Sequence, residues 1–427
     1  MKYKKLRDQG AVRRLVNLGL LIGGFGIGQG SIFLAQTYLV ATGRTELLAL
    51  FGAHFSFAML GIIAVESGSL TILSAQIARL LVAQGDEHEL WRVYWETTVY
   101  RLTIAVVLIA GLLVFKAIVP LPAFSATYLI GVLPALLIWA FNGAGFLDGL
   151  QRSGISGITG SIAYVASAVA LVLALGKTPT QAGLITGGAL SIGYALTVIV
   201  QFAALSLLGW KPRFERPTSG GVRKAFVEES SMLAGLAPGQ LYFRAQLAIA
   251  SVFLGSTATA MLVYAKQIIG AASQISGFAR RIEFPRMVQA VTGNPRIAVR
   301  TLVGIQKISF AIAGAIAAAV LVASLIIISL FDGFTQQAWA FLAFFCVTIL
   351  TEAFGQSLVQ AMFARNLFHS AAVARIVAVV VAIGFGYLFV AMIGAKVFIV
   401  SDLVSHAIVI SLSYYWLRRN FARHGHA

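Results

Sequence analysis

The sequence predicts an all-α polytopic membrane protein with about twelve transmembrane helices. Of its 427 residues, 59% are hydrophobic and 11% are charged, and the mean hydropathy is +0.88. Soluble domains carry roughly 25% charged residues, so water is not the main solvent of this chain. Apolar runs of about 20 residues or more recur along the sequence, and each can cross a hydrocarbon core of about 30 Å as a helix. The runs are rich in Gly and Ala and lack the alternation of barrel strands.

The apolar runs define the predicted spans in order. They are 15–41, 46–78, 99–119, 126–148, 154–176, 182–209, 226–254, 257–280, 301–330, 337–364, 370–394 and 397–417. The first run is too long for a signal peptide and lacks a small-residue cleavage site, so we expect it to be retained. Segment 86–101 mixes aromatic and charged residues, which predicts an interfacial helix leading into the third span.

The distribution of Lys and Arg predicts the orientation. Almost all of these residues lie at the termini and in every second loop, whereas the alternate loops hold only Arg44, Lys116, Lys177 and Lys396. Cytoplasmic loops carry the excess of Lys and Arg, so both termini and segment 210–225 are expected in the cytoplasm. Topology thus accounts for the net charge of +17, and we expect no nucleic-acid partner.

One polar segment divides the chain. Residues 210–225 contain two prolines and two glycines and form the predicted cytoplasmic linker between residues 1–209 and 226–427. Two halves of six spans each are typical of a duplicated transporter. Two dipeptides recur in both halves: GQ at 28–29 and 239–240, and AQ at 35–36 and 245–246.

The chain lacks the signatures of common enzyme classes. It has no GxxxxGK[ST] phosphate loop and no HExxH motif, its six His residues are scattered, and its single cysteine, Cys346, lies in an apolar run. We therefore expect no enzyme, no ATP-driven pump, no cofactor and no metal site. Polar groups inside the spans are the functional candidates, since a charge in hydrocarbon costs several kcal/mol unless it is solvated or paired.

Two cations are predicted at one depth in the seventh and eighth spans. Arg244 lies about ten residues before the end of one span and Lys266 about ten residues after the start of the next, which places both about 15 Å from the same surface. Facing one cavity, they would suit a phosphate or pyrophosphate, with Arg as a fork and Lys as a point charge. The alternatives are pairing with an acid such as Glu352, or snorkelling to the surface.

The tenth span carries a polar stripe with a spacing of four residues, which places its members on one helical face directed to the bundle interior or to water. The stripe consists of Thr348, Glu352, Gln356 and Gln360. Glu352 lies near the middle of the span. Two roles for it remain open: proton coupling, or serving as counter-ion to Arg375 or Lys266.

Other spans also contain polar or small residues. For Glu66 in the second span, proton coupling and a polar helix end are both open. Six glycines in residues 19–30 predict a close helix contact or a bend in the first span. Asp402 and His406 share one face of the last span, and we expect Asp402 to lie near the membrane surface in contact with water.

Segment 239–286 resembles the seventh and eighth spans of Wzx-type polysaccharide flippases. The similar parts are FRAQLAIASVFLG, VYAKQ and the triplet Phe284–Pro285–Arg286. Segment 64–80 (AVESGSLTILSAQIARL) resembles the end of the family's second span, and segment 146–157 (FLDGLQRSGISG) its link between the fourth and fifth. Many relatives have Asp where this chain has Gln246. The family belongs to the multidrug/oligosaccharidyl-lipid/polysaccharide exporter superfamily.

The resemblance implies two pseudo-symmetric six-helix lobes around a central cationic cavity, with the first and seventh spans near the seam. It also implies a flippase of a bacterial inner membrane. It would move an undecaprenyl-pyrophosphate-linked oligosaccharide, as used for O-antigen, lipopolysaccharide or exopolysaccharide, to the outer leaflet by alternating access, driven by an H⁺ or Na⁺ gradient. Its expected partners are membrane lipids, with polysaccharide polymerase machinery as a candidate. The expected pyrophosphate and sugar contacts are Arg244, Lys266, Gln36, Gln246, Gln240 and Tyr264. The expected ion-coupling residues are Glu352 and Glu66.

Two other functions remain open. A MATE-like exporter of small cations would place acids along the cavity, whereas Arg244 and Lys266 favour an anionic substrate. A membrane scaffold for polysaccharide synthesis would have no water-accessible central cavity. The charge that lines the cavity discriminates between the two transporters.

Overall fold

The computed structural model describes residues 11–42, 44–66, 68–294, 297, 299–330 and 332–425. The regular structure within these residues is helical, as predicted. The helices are α1 (Ala11–Ala41), α2 (Thr45–Glu66), α3 (Ser69–Val82), α4 (Glu87–Ile118), α5 (Ala123–Trp139), α6 (Ala144–Gly149), α7 (Ser153–Leu173), α8 (Pro179–Leu207), α9 (Ser219–Phe253), α10 (Gly255–Gly293), α11 (Val299–Gly304), α12 (Lys307–Leu330), α13 (Gly333–Ala364), α14 (Phe368–Ile393) and α15 (Val397–Gly425), with a 3-10 turn at Gly394–Lys396.

Nine stretches of the described residues are long and apolar enough to cross a membrane. The last of them, Phe368–Asn420, contains most of both α14 and α15. The predicted seventh and eighth spans, in α9 and α10, are not among the nine, because polar and charged residues lower their hydropathy. The chain is thus a multi-pass α-helical membrane protein, as the composition predicts.

Three of the predicted spans contain a helix break. The second span is divided after Glu66, and α3 begins beyond Gly68, whose φ of 79° lies in the left-handed region that favours glycine. The fourth span is divided between α5 and α6, and the ninth between α11 and α12. The break after Glu66 matters most here, because it leaves a carboxylate at the carboxyl end of a helix.

The chain forms two compact units, Met1–Glu229 and Ser230–Ala427, called unit 1 and unit 2 below. Their boundary falls inside α9, beyond the predicted linker at 210–225. In unit 1, α1 packs on α7, and α5 packs on α8. In unit 2, α13 packs on α10, α12 and α15, and α14 packs on α15.

The glycines of α1 pack closely against α7. A Cβ atom at Gly24 would lie 2.4 Å from the carbonyl oxygen of Gly157, and one at Gly28 would lie 3.3 Å from the Tyr164 side chain. Small residues four positions apart allow two membrane helices to approach at backbone distance. Of the two interpretations of this glycine-rich run, the close helix contact is therefore confirmed for Gly24 and Gly28.

The linker is held against α4 by hydrogen bonds. Glu96 accepts from the backbone N–H of Thr218 at 3.1 Å and from its hydroxyl at 2.6 Å. The indole N–H of Trp95 donates to the carbonyl oxygen of Arg213 at 2.8 Å. His88 and Glu215 form a more exposed contact at 2.6 Å. The polar linker is thus an ordered part of unit 1.

The predicted interfacial helix at 86–101 is instead the first half of the continuous helix α4. Trp91 and Tyr94 are fully buried, in one cluster with Phe146 and Trp210. The prediction of an interfacial helix that leads into the third span is wrong, because 87–118 is one helix and Trp91 and Tyr94 pack into the protein core.

Candidate functional site

Asp402 is the centre of a buried polar cluster in unit 2. Its Oδ1 accepts hydrogen bonds from the Tyr242 hydroxyl and from Gln246 Nε2, each at 2.9 Å, and its Oδ2 accepts from Lys266 Nζ at 2.6 Å. Asp402 is only 4% exposed. The prediction that Asp402 meets water near the surface is therefore wrong, because donors from α9 and α10 surround the carboxylate.

Lys266 is the cationic member of this cluster. Its ammonium forms an ion pair with Asp402 and lies 5.4 Å from the Tyr242 ring centroid and 5.3 Å from that of Phe345. Aromatic faces attract a cation, and more strongly where water is excluded. Of the roles open for Lys266, pairing with an acid has structural support, but the acid is Asp402 rather than Glu352.

The cluster continues through hydroxyl and imidazole groups. Ser401 Oγ lies 2.7 Å from the Tyr242 hydroxyl and donates to the carbonyl oxygen of Ala382 at 2.8 Å. One turn beyond Asp402, His406 Nδ1 lies 2.8 Å from the Thr351 hydroxyl. Groups that can both donate and accept therefore extend from the Asp402 carboxylate towards α13.

The polar stripe of α13 faces the interior of unit 2, as predicted. Three of its members bind neighbouring helices, and these bonds are Ser273 hydroxyl to Glu352 at 2.5 Å, Arg375 Nη2 to Gln356 Oε1 at 2.9 Å, and Gln306 Nε2 to Gln360 Oε1 at 2.6 Å. Thr348 is fully buried. The stripe thus connects α13 to α10, to the turn between α11 and α12, and to α14.

Glu352 lies among cations. Both Arg280 and Arg375 are within electrostatic range of its carboxylate. Arg280 is 7% exposed, and the Arg375 guanidinium lies 5.5 Å from the Phe363 ring centroid. Two cations and one anion leave this region with a positive formal charge. The counter-ion role for Glu352 thus has electrostatic support toward Arg375 and also toward Arg280, which the sequence analysis did not consider.

Arg244 does not share the cluster of Lys266. Tyr242 and Gln246 both contact Asp402, and Arg244 lies two residues from each, or about 200° around a helix with 3.6 residues per turn. Its side chain is exposed. The structure therefore separates the two cations that the sequence places at one depth.

The other expected substrate contacts are placed as follows. Gln246 is 1% exposed and belongs to the Asp402 cluster. Gln36 is half-buried on α1 in unit 1. The side chains of Gln240 and Tyr264 lie outside the described residues.

Glu66 is the centre of an aromatic cluster in unit 1. The indole N–H of Trp139 donates to Glu66 Oε2 at 3.4 Å, and the Trp139 and Tyr194 ring centroids lie 4.7 Å apart. Tyr164 and Tyr194 are within electrostatic range of the carboxylate. Both tyrosines lie near the middle of their helices, α7 and α8. The half-buried carboxylate thus lies near three aromatic side chains of unit 1.

Two features of these clusters escaped the sequence analysis. Asp402 and His406 at i and i+4 gave the signal for a shared face, but sequence position alone placed Asp402 at the surface. Trp139 gave no signal, since an aromatic residue inside an apolar run usually packs in the protein core. Among the described residues, no group of three or more His, Cys, Asp or Glu side chains could hold a metal ion.

Comparisons with known proteins reveal structural relatives. No family model and no curated protein matches the chain. A MATE structure in the bent conformation superimposes with a TM-score of 0.81 at 17% identity, covering 99% of this chain and 98% of that chain. An outward-facing multidrug resistance MATE family transporter of the MOP superfamily gives 0.78 at 18% identity, with the same coverages. The chain has the MATE fold.

A third solved structure shows how the same fold can differ in charge. It is a MOP superfamily transporter from Pyrococcus furiosus, for which a reverse polarity of the binding pocket suggests a different function. Its TM-score is 0.73 at 16% identity, covering 98% of each chain. The all-α membrane fold expected from the sequence is confirmed, and the superfamily and the flippase family within it remain predictions.

Proposed function

We propose that this chain is a secondary transporter that exchanges protons for an organic cation. The observation that carries the proposal is the bond between Lys266 and Asp402. The flippase hypothesis requires Lys266 to face a phosphate, but its charge is already balanced by a buried carboxylate. This neutralisation favours the MATE-like alternative, which expects acids at the functional sites.

Asp402 is the proposed proton site. Protonation would remove its charge and with it the ionic part of the bond to Lys266, which leaves an uncompensated ammonium in a buried position. The cluster would then relax, because Tyr242 and Gln246 donate more weakly to a neutral acid than to a carboxylate. Proton binding thus gives α10 and α15 two alternative contacts, which is the requirement for a coupled conformational change.

The same geometry favours H⁺ over Na⁺ as the coupling ion. The Lys266 ammonium already occupies a cation position 2.6 Å from Asp402 Oδ2. A Na⁺ ion bound to this carboxylate would lie within a few ångströms of the ammonium and be repelled in a medium of low dielectric constant. A proton adds to a carboxylate oxygen and needs no coordination position of its own beside the ammonium.

Glu66 is the proposed contact for the organic cation. A carboxylate at the carboxyl end of α2 adds to the negative end of the helix dipole. The indole of Trp139 and the phenol rings of Tyr164 and Tyr194 supply surfaces that attract a desolvated cation. The Glu66 carboxylate can bind the positive charge of an amphiphilic cation, and the aromatic rings can bind its apolar part.

The test measures efflux of ethidium, a fluorescent organic cation, from proteoliposomes with an imposed pH gradient. Glu66→Gln is expected to lower ethidium affinity by more than about tenfold, since a hydrogen bond or contact to a charged group contributes roughly 1.5–3 kcal/mol. Asp402→Asn is expected to abolish the response to the pH gradient while ethidium still binds. Asp332→Asn, at an exposed position, is the matched control.

Two results would contradict the proposal. Gradient-driven efflux that survives Asp402→Asn would remove Asp402 as the proton site, and Glu352→Gln would then be tested for a flattened pH response. Unchanged ethidium affinity in folded Glu66→Gln protein would remove the cation site. Each variant is first shown to unfold cooperatively, and Asp402→Asn is expected to melt below the parent because Lys266 loses its counter-ion.

A second candidate function is supported by Arg244 and by the positive region around Glu352. Arg244 is exposed, and the buried Arg280 and Arg375 outnumber the acid between them. This surplus suits the pyrophosphate of a lipid-linked oligosaccharide. Under this function, Arg244→Ala weakens binding of a polyprenyl-pyrophosphate analogue by more than about tenfold, Arg244→Lys restores it in part, and ethidium efflux is absent.

For the orientation we keep the sequence-based proposal that the termini and the linker are cytoplasmic. Cys346 is buried and is replaced first by Ala. Lys211→Cys, at an exposed linker position, is then expected to resist a membrane-impermeant maleimide applied outside spheroplasts. Efficient external labelling would reverse the orientation.

A further inference from the structure

A pocket of about 510 Å³ lies in unit 2, away from the Asp402 cluster. Helices α11, α13 and α15 form its walls. Its lining residues are Val299, Arg300, Val303, Phe354, Leu358, Tyr414 and Arg418. No residue of the Asp402 cluster lines this pocket, so the proposed transport chemistry does not explain it.

The pocket combines two cations with an apolar floor. Arg300 and Arg418 are exposed, and neither guanidinium has a hydrogen-bond or ion-pair partner within the part of the chain that the structure describes. Val303, Phe354 and Leu358 supply the apolar surface. Two guanidinium groups on one pocket repel each other unless an anion lies between them. The two guanidinium groups therefore favour an anionic ligand, and the apolar side chains favour a hydrocarbon chain.

We propose that this pocket binds an anionic phospholipid. The phosphate lies between Arg300 and Arg418, whose planar guanidinium groups can each donate two hydrogen bonds to phosphate oxygens. An acyl chain covers Val303 and Phe354. Tyr414, which is 50% exposed, is amphipathic in the way typical of the membrane–water interface. Basic pockets between membrane helices commonly hold anionic head groups.

The apolar floor commits the proposal to a lipid rather than to a free phosphate. A soluble anion would contact only the two arginines and the tyrosine hydroxyl, and the remaining surface would stay exposed. A lipid fills both parts at once, since each methylene group that it buries on the apolar residues adds to its affinity. Binding of a phospholipid therefore depends on the apolar side chains of the pocket, whereas binding of a free phosphate does not.

The test is native mass spectrometry of the full chain in detergent, titrated with dioleoyl-phosphatidylglycerol. The Arg300→Gln/Arg418→Gln variant is expected to bind the first lipid roughly thirtyfold more weakly, because each basic residue contributes about 1 kcal/mol, a factor of about five. Arg419→Gln is the matched control, since Arg419 is an exposed neighbour that does not line the pocket. Its affinity should equal that of the parent.

Two further arms separate a lipid from other ligands. Val303→Trp keeps both arginines and fills the floor, so it should weaken phosphatidylglycerol binding as well. Excess inorganic phosphate should not displace the lipid from the parent. The proposal is overturned if the double variant binds the lipid as Arg419→Gln does, if Val303→Trp has no effect, if inorganic phosphate displaces the lipid, or if dioleoyl-phosphatidylcholine binds equally well. Melting temperatures establish that each variant is folded.

Discussion

The two units hold their helices together in different ways. In unit 1, a Cβ atom at Gly24, Gly157 or Gly187 would lie only 2.4–2.5 Å from an atom of a neighbouring helix. In unit 2, the described glycines with a neighbour within 4 Å leave 3.3 Å or more. Long polar side chains such as Lys266 and Arg375 form hydrogen bonds between these more widely spaced helices.

The distance between two packed helices limits which side chains can lie between them. Helices that touch at glycine leave no space for a long side chain, and they are held by van der Waals contacts. Helices that lie farther apart can enclose ionisable groups, which must then be paired. We therefore expect the Asp402 cluster of unit 2 to be stabilised by charge, and the glycine contacts of unit 1 to be stabilised by shape.

The largest expected effect is the loss of the buried ion pair in unit 2. Lys266→Met leaves the Asp402 carboxylate buried with only the neutral donors Tyr242 and Gln246. Breaking a buried pair on one side costs about 3–5 kcal/mol. Thermal unfolding in detergent should show the corresponding drop in melting temperature.

The double variant Lys266→Met/Asp402→Asn is the control for this prediction. Removing both charges should recover more than half of the lost stability, because no unpaired charge remains. If the two single effects simply add, the residues do not form an energetic pair, and the comparison between the units loses its main support.

A smaller effect is expected at the glycine contact in unit 1. Gly24→Ala places a methyl group against the backbone of Gly157 and should destabilise the chain by about 1–3 kcal/mol, the usual cost of overpacking. The adjacent Gly23→Ala meets open space and should leave stability unchanged or raise it by up to about 1 kcal/mol. Equal melting temperatures for these two variants would contradict a close contact at Gly24.

The smallest effects are expected for the linker, which polar side chains attach to α4 within unit 1. Glu96→Ala removes the acceptor of two hydrogen bonds from Thr218 and should cost about 1–2 kcal/mol. His88→Ala removes an exposed contact to Glu215 and should cost less than about 0.5 kcal/mol. Limited proteolysis at 210–218 reports both changes, with faster cleavage for Glu96→Ala. Equal cleavage rates would show that the Glu96 bonds do not hold the linker.

The sequence alone determined which segments form membrane helices. Backbone N–H and C=O groups have no water partner in a bilayer, so apolar runs such as 307–330 must become helices. The four-residue spacing of Glu352, Gln356 and Gln360 fixed their common face before any packing was known. For the same reason Glu66 and Lys266 stood out, because an ionisable group in an apolar run is costly wherever it points.

The tertiary structure alone decided which of these groups meet. Asp402 is placed near the start of its span by sequence, yet it is buried because α9 and α10 bring Tyr242, Gln246 and Lys266 to it. Arg244 is a cation that the sequence places at the same depth as Lys266. It lies on a different side of α9 from Tyr242 and Gln246, which contact Asp402. Sequence spacing gives the angle of a side chain around its own helix. The neighbour that the side chain meets depends on how the helices pack, which follows from contacts between residues far apart in the chain.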